Sequence, residues 1–344
     1  MKINSIHRLL ALLSLAVLLV PSCVKSAQDE GPEIVFTETV TKAGEAGGSK
    51  IDTDTEFQMA AAGGFGVLGL RSANGIDFTA QVFETDAAKQ VTYGGETWSY
   101  SNKAKWIRSN YYRFRAFWPY ANVLPELNPS SNANFISVAY STVVDKYDLL
   151  VAYETRYPLT EGVGTVDMEF EHALAAVSFK VKFDASVSGD DKLTEFYLQG
   201  LYPSGSLLYG FDGSNADAAI DAEDIVWMTV PALFDADSKL YRWYAASESE
   251  MKTFNKSTKA TVYGNDGLVF VIPQTVTSQT TLNFKTKNAG EALHTASLVS
   301  GSGTLTWEPG KVYEYTVTIK GAKISLSVDI KDWTDTDSNL DINL

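Results

Sequence analysis

The most regular hydrophobic pattern of the chain lies in its central stretch, from Val166 to Phe183. Up to Phe170 every second residue is apolar, and the residues between are acidic. From Val177 onward the alternation returns, with serine and lysine at the polar positions. A period of two is typical of a strand that buries one face. Because the apolar positions change from even to odd numbers, the pattern predicts a bulge or short turn around His172–Ala176.

A second clear pattern near the C-terminus predicts a β-hairpin. Apolar and aromatic residues alternate with polar ones over Tyr313–Ile319, and the alternation resumes over Ile324–Ile330 after the turn residue Gly321. The same alternation predicts which side chains point inward. We expect both Phe179 and Val328 to face the core at the middle of their strands.

The rest of the chain reads as short strands separated by loops rich in glycine, serine and aspartate, with no convincing amphipathic helix. A length of 344 residues suits two domains, and we place their boundary near Gly162–Thr165. The sequence therefore predicts an all-β fold, with an exposed flexible loop at Thr41–Lys50 and a loop at Ser204–Asp224. The other predicted strands are Ile34–Val40, Phe65–Leu70, Thr92–Tyr100 (a hairpin), Asp148–Tyr153, Leu193–Leu198, Ile225–Val230, Leu240–Ala245 and Leu268–Ile272.

The charge of the chain limits its partners. The formal net charge is −14 at pH 7. Such a charge repels phosphate backbones, which argues against nucleic acid as a partner. It also argues against binding to an anionic lipid surface by charge alone.

The N-terminus predicts export and a lipid anchor. Basic residues precede the apolar run Leu9–Val20, which is too short for a membrane span and is typical of a signal peptide. The run ends in V-P-S-C, and its cysteine, Cys23, is the only one in the chain. This ending is similar to the lipobox of bacterial lipoproteins. We therefore predict a signal peptide over residues 1–22, lipidation of Cys23, and a polar tether over residues 23–33.

Aromatic residues are densest from Trp98 to Tyr120, where arginines lie between them. Flat rings beside hydrogen-bond donors would suit a platform for sugars. Equally, such rings pack in the core of an aromatic-rich β-sandwich, with Arg108, Arg113 and Arg115 on its outer face. Solvent exposure of the tryptophans distinguishes the two interpretations.

Residues that could carry chemistry are few. Apart from the leader, the chain contains only two histidines, His172 and His294, and no G-x-S-x-G motif. We expect His172, at the strand break, to hydrogen-bond to the backbone. The acidic stretches Asp52–Glu56 and Asp335–Asp337 lack the glycine and closing glutamate of a calcium loop. The sequence predicts no catalytic, cofactor or metal site, and therefore no enzyme.

Several motifs occur in an order that is similar to a known family. They are F-E-H-A-L-A-A-V-S-F at Phe170–Phe179, I-P-Q at Ile272–Gln274, W-E-P-G-K-V-Y-E-Y at Trp307–Tyr315, and V-D-I-K-D-W at Val328–Trp333. Together they resemble the fimbrillin-like (Mfa-like) surface lipoproteins of Gram-negative gut and oral bacteria, the subunits of type V pili.

This resemblance implies two tandem transthyretin-like β-sandwich domains, here residues 34–163 and 164–344. It also implies export to the outer membrane and surface exposure. The partners would be sibling pilus subunits in a fimbria, the outer membrane through the lipid, and a host or bacterial surface ligand.

The resemblance also implies a mode of assembly. In the family an Arg/Lys-specific protease clips the first loop, and the matching residue is Lys42, with Lys50 as a second candidate. A C-terminal strand of one subunit then pairs with the next subunit. Here the donor residues would be Leu340, Ile342 and Leu344, which alternate with polar residues.

Two functions are therefore expected from the sequence. The first is a structural or adhesive subunit of fimbriae, assembled by donor-strand exchange. The alternative is a lipid-anchored surface protein that binds carbohydrate through Trp98, Trp106 or Trp118.

Overall fold

The computed structural model describes residues 30–40, 63–83, 88–94, 97–120, 136–141, 148–156, 164–209, 225–229, 238–262, 268–290 and 292–333. Within these ranges the regular structure consists of β-strands joined by turns. The predicted all-β class is therefore confirmed. No helix that could cross a membrane occurs in this part of the chain.

The first half of the chain builds one large sheet and also contains strands that lie outside it. The strands are β1 Glu30–Glu33, β2 Phe36–Val40, β3 Phe65–Ser72, β4 Ala80–Gln81, β5 Lys89–Tyr93, β6 Trp98–Ser99, β7 Lys105–Ile107, β8 Tyr111–Trp118, β9 Ile136–Ser141, β10 Leu150–Arg156 and β11 Val166–His172. The 8-stranded sheet has the order β2-β11-β10-β8-β3-β5-β6, with β4 beside β3. In this sheet β2 runs parallel to β11, whereas the other pairs are antiparallel. Outside it, β1 forms a separate pair with β7, and β9 pairs with a strand of the second half.

The second half contains two 5-stranded sheets that form a sandwich. Its strands are β12 Ala175–Phe183, β13 Asp191–Gln199, β14 Ser204–Tyr209, β15 Ile225–Thr229, β16 Leu240–Tyr244, β17 Lys252–Phe254, β18 Ala260–Thr261, β19 Leu268–Val271, β20 Gln274–Val276, β21 Thr281–Thr286, β22 Leu293–Ser297, β23 Leu305–Trp307, β24 Lys311–Lys320 and β25 Lys323–Asp332. One sheet has the order β18-β12-β24-β25 with β19 beside β12, and the other has the order β16-β13-β21-β22 with β17 beside β13. The start of the predicted loop Ser204–Asp224 is wrong, because β14 occupies it.

Three hydrophobic clusters organise these sheets. The first core includes Phe36, Phe65 and Phe114, and the second core includes Phe179 and Tyr315. A third cluster, here called the bridging cluster, joins strands of both halves. Its members include Phe117, Val151, Tyr153, Ala173, Leu174, Leu207 and Tyr209. It lies where β14 pairs with β9 of the first half and with β15.

The change of phase in the central stretch is a change of sheet. β11 ends at His172 and β12 begins at Ala175, so only Ala173 and Leu174 lie between them. Apolar side chains of β11 enter the first core, and those of β12 enter the second core. The predicted short turn is confirmed. The division of the chain at residues 163 and 164 stays a prediction, because β11 extends the first sheet as far as His172.

The predicted orientation of Val328 is wrong. Phe179 is fully buried as expected, but 38% of Val328 and 47% of Ile330 is exposed. The physical reason is that β25 is the last strand of its sheet. Along part of its length it borders an open groove of about 670 Å³ rather than packed side chains.

Candidate assembly site

The N-terminal segment Glu30–Val40 forms an edge of the first half. β1 pairs antiparallel with β7, and β2 pairs parallel with β11 at the end of the large sheet. A strand at such an edge is held by one neighbour only, so it can leave without opening the rest of the sheet.

Hydrogen bonds fix the link between β1 and β2. The backbone N–H of Ile34 donates to the carbonyl of Ala104 (2.8 Å), and the N–H of Val166 donates to the carbonyl of Val35 (2.8 Å). The hydroxyl of Tyr100 donates to the carbonyl of Ile34 (2.9 Å) and accepts from the N–H of Ala104 (3.2 Å). Burial raises the pKa of Tyr100 to about 12, so its hydroxyl remains a donor at neutral pH.

The side chains of this segment complete the first core. Ile34 is fully buried and Phe36 is 1% exposed. The ring of Phe36 lies edge-on to Phe114 at 5.3 Å between centroids, and 5.6 Å from the ring of Tyr100. Each buried apolar side chain contributes about 1.5–3 kcal/mol. Loss of the segment would therefore uncover an aromatic groove.

Ion pairs add little to this attachment. Lys105 Nζ lies 3.2 Å from Glu30 Oε2, and Lys103 Nζ lies 3.4 Å from Glu33 Oε2. All four side chains are more than a third exposed. Exposed pairs of this kind contribute at most about 1 kcal/mol. The segment is held mainly by its apolar side chains and its backbone.

The residues predicted to carry processing and assembly lie outside the described part of the chain. They are Cys23, Lys42, Lys50, Leu340, Ile342 and Leu344. Their roles stay predictions. The structure adds the position of β2, which ends at Val40, two residues before Lys42.

The aromatic stretch is structural. Trp98, Trp106 and Trp118 are 7%, 1% and 2% exposed. Their burial confirms the packing interpretation and removes the basis of a sugar platform. The expected outer position of the arginines is wrong for Arg113 and Arg115, which are 9% and 2% exposed. The ring of Phe78 lies against Arg113, and the bridging cluster covers Arg115.

His172 has a partner that sequence reasoning missed. Its Nδ1 lies 2.7 Å from Oδ2 of Asp148, a carboxylate rather than the backbone group that we expected. Its ring stacks on Trp333 with 4.0 Å between centroids and 6° between planes. Both His172 and Asp148 are nearly buried.

Backbone hydrogen bonds gather distant segments around this stack. The N–H of Gly310 donates to the carbonyl of Leu174 (2.9 Å), and the N–H of Trp333 donates to the carbonyl of Gly310 (2.8 Å). The N–H of Ala173 donates to the carbonyl of Leu149 (2.8 Å). We call this meeting point the junction, defined by Asp148, Leu149, His172–Leu174, Gly310 and Trp333.

The junction contains residues from three of the four motifs found in the sequence. The sequence profile of the fimbrillin-like family matches residues 53–333. The chain belongs to the fimbrillin-like family. No curated protein matches it.

Solved structures support the same fold for this family member. A fimbrial protein from Bacteroides vulgatus has a TM-score of 0.60 at 17% identity, and the match covers 87% of this chain and 99% of that one. A protein proposed to act in cell adhesion, from Parabacteroides distasonis, has a TM-score of 0.51 at 10% identity, covering 88% and 98%. At these identities the likeness concerns the fold alone.

The fourth fimbrillin-like motif, I-P-Q, supports a turn near the junction. The side chain of Gln274 donates to the carbonyl of Ile272 (3.1 Å) and accepts from the N–H of Tyr202 (2.8 Å). Gln274 also pairs with Trp307 between β20 and β23. The family motifs of this chain therefore serve to connect strands, and their geometry gives them a structural role.

Proposed function

We propose that the chain is a surface-exposed lipoprotein of the outer membrane and a structural or adhesive subunit of fimbriae. Family membership supports the fimbrial role. The observation that carries the assembly mechanism is the edge strand β2, which contributes Phe36 to the first core and, among the described strands, pairs only with β11. Its partners are sibling subunits, the outer membrane, and a host or bacterial surface ligand.

Assembly proceeds by strand exchange. Cleavage after Lys42, or after Lys50, separates the N-terminal segment from the rest of the chain. Departure of this segment opens the groove lined by Tyr100 and Phe114 and leaves the backbone of β11 unpaired on one side. An incoming strand restores these hydrogen bonds by β-augmentation. The donor is the segment Leu340–Leu344 of another subunit, whose alternate apolar residues fill the groove.

Protease treatment tests this mechanism. Trypsin added to the purified mature protein is expected to cut first within Lys42–Lys50 and to produce oligomers visible by size-exclusion chromatography. A Lys42→Gln/Lys50→Gln variant should remain uncut there and monomeric. The matched control, Lys256→Gln/Lys259→Gln, removes two exposed lysines elsewhere and should behave as wild type.

Deletion of Leu340–Leu344 tests the donor. The truncated protein should be cut normally and melt at the wild-type temperature, but it should form no oligomers alone. It should still accept the tail of an intact subunit in a mixture, because its own groove is unchanged. Oligomers that form equally well without the tail would refute the assignment of the donor strand.

The lipid anchor is a separate part of the proposal. A triacylated Cys23 would anchor the protein stably, since each buried CH₂ contributes about 0.8 kcal/mol. Cys23→Ala should therefore be lost from the outer-membrane fraction and should incorporate no radiolabelled fatty acid. Equal incorporation in Cys23→Ala and wild type would contradict the assignment.

The division into two transthyretin-like domains, residues 34–163 and 164–344, belongs to this proposal as well. The presence of two large cores supports two domains, but the first core also contains Val166, Met168 and Phe170 of β11, from beyond residue 163. The bridging cluster then becomes the contact between the domains.

A further inference from the structure

A buried cation lies in the contact between the two halves. Arg115 sits in the middle of β8, opposite Leu68 of β3 and Tyr153 of β10. Its side chain points away from the first core, because its neighbours Phe114 and Ala116 belong to that core. On its own side the bridging cluster closes over it, and only 2% of the residue is exposed.

Among the described residues, the guanidinium of Arg115 faces the ring of Tyr153, with 5.6 Å to the centroid, but two of its nitrogens lack a hydrogen-bond acceptor. Its Nε and Nη2 are buried and have no hydrogen-bond partner, and the buried hydroxyl of Tyr209 on β14 has none either. A buried N–H without a partner destabilises the folded state, and more so when the group is charged. An arginine in such a place ordinarily has a counter-charge beside it.

Among the described residues, no carboxylate acts on the charge of Arg115. Tyr153 and Tyr209 favour its charged form, whereas the cation Arg113 disfavours it. Arg113 is a second cation on the same face of β8, with its guanidinium 3.8 Å from the ring centroid of Phe78. Burial lowers the pKa of Arg115 to about 10, so the group is still charged at neutral pH.

The donors at this place determine which kind of ligand could bind there. Guanidinium N–H groups only donate, and a phenol hydroxyl readily donates to an anion. A neutral water could accept these hydrogen bonds, but it would bring no negative charge to Arg115. The enclosure limits the size of the ligand, because Tyr209 is fully buried. We propose that Arg115 and Tyr209 bind a small inorganic anion, chloride being the simplest, between β8 and β14.

Such an ion would connect the two halves. Arg115 belongs to the large sheet of the first half, whereas Tyr209 belongs to β14 of the second half. A ligand that binds only the folded state stabilises it by mass action. The stability of the contact would therefore depend on the concentration of the anion.

Thermal melting of the full chain in sodium chloride, compared with sodium gluconate at equal ionic strength, tests this dependence. Gluconate is too large to enter an enclosed site. We expect the wild-type melting temperature to rise with chloride and to saturate, while Arg115→Met shows no difference between the salts. Tyr209→Phe should require more chloride for the same rise. The matched control Arg108→Met removes an exposed arginine and should respond as wild type does.

Bromide provides a direct readout that remains valid if Arg115→Met fails to fold. Crystals of the wild-type protein grown with bromide should show an anomalous peak within hydrogen-bond distance of Arg115 and Tyr209. A peak without any saturable dependence of melting on chloride would mean an adventitious ion only. A peak of that kind would overturn the proposal. So would a carboxylate of the chain beside Arg115, or equal effects of the two salts on the melting of wild type and Tyr209→Phe.

Discussion

Replacement of Phe179 by aspartate is expected to unfold the second core. Phe179 is fully buried, and its ring lies 4.9 Å from that of Phe196 and 5.1 Å from that of Tyr315. An unpaired carboxylate at this place costs several kcal/mol, which is comparable to the total stability of about 5–15 kcal/mol for a domain. Thermal melting followed by near-ultraviolet circular dichroism should show loss of the cooperative transition.

Val328→Asp is the matched control for this experiment. It introduces the same carboxylate on the same sheet, but on the exposed edge strand β25. Exposed substitutions usually change stability by no more than about 0.5 kcal/mol. We therefore expect a melting temperature close to wild type. Equal destabilisation by the two substitutions would show that β25 is covered in solution.

Trp333→Ala is expected to have the second largest effect, because Trp333 holds the junction together. The indole is 1% exposed and stacks between His172 and Phe270, at 4.0 and 5.4 Å between centroids. Removal of a buried tryptophan typically costs about 3–5 kcal/mol, through lost contacts and the cavity that remains. Chemical denaturation should report this loss as a lower midpoint.

The control for this variant is Tyr244→Ala, which removes an aromatic ring that is 60% exposed. We expect its midpoint to stay near that of wild type. A double-mutant cycle between His172→Ala and Trp333→Ala should give an interaction energy of at least about 0.5 kcal/mol, because the rings are in direct contact. Additive effects of the two substitutions would contradict the stacking.

The sequence predicts the fold class and the short turn around His172–Ala176 well, because both depend on local alternation. It does not show that the strand after the turn joins another sheet, since the alternation of one strand does not name its partners. The same alternation fails for Val328, because it marks an apolar face without showing whether another layer lies over it. It also fails for Arg113 and Arg115, because polar residues at alternate positions do not show that other side chains bury them.

The junction could not be predicted, because its parts are far apart in sequence. His172, Gly310 and Trp333 each belong to a motif, but only the three-dimensional arrangement shows that the motifs meet. The contact between His172 and Asp148 leaves no periodic signal either. For the assembly site, the sequence indicates the strand and the basic loop. The hydrogen bonds of the Tyr100 hydroxyl with Ile34 and Ala104 became visible only in the structure.

The direct passage from β11 into β12 has a mechanical consequence. Ala173 and Leu174, the residues of the passage, are buried, and each makes a backbone hydrogen bond to another segment of the chain. The passage therefore cannot lengthen easily when the subunit is pulled. Tension that reaches β12 acts along its parallel pairing with β24, which runs from Ala176 to Phe183. Those hydrogen bonds are loaded together in shear rather than opened one after another. In a fibre of such subunits, this passage would therefore resist extension under load.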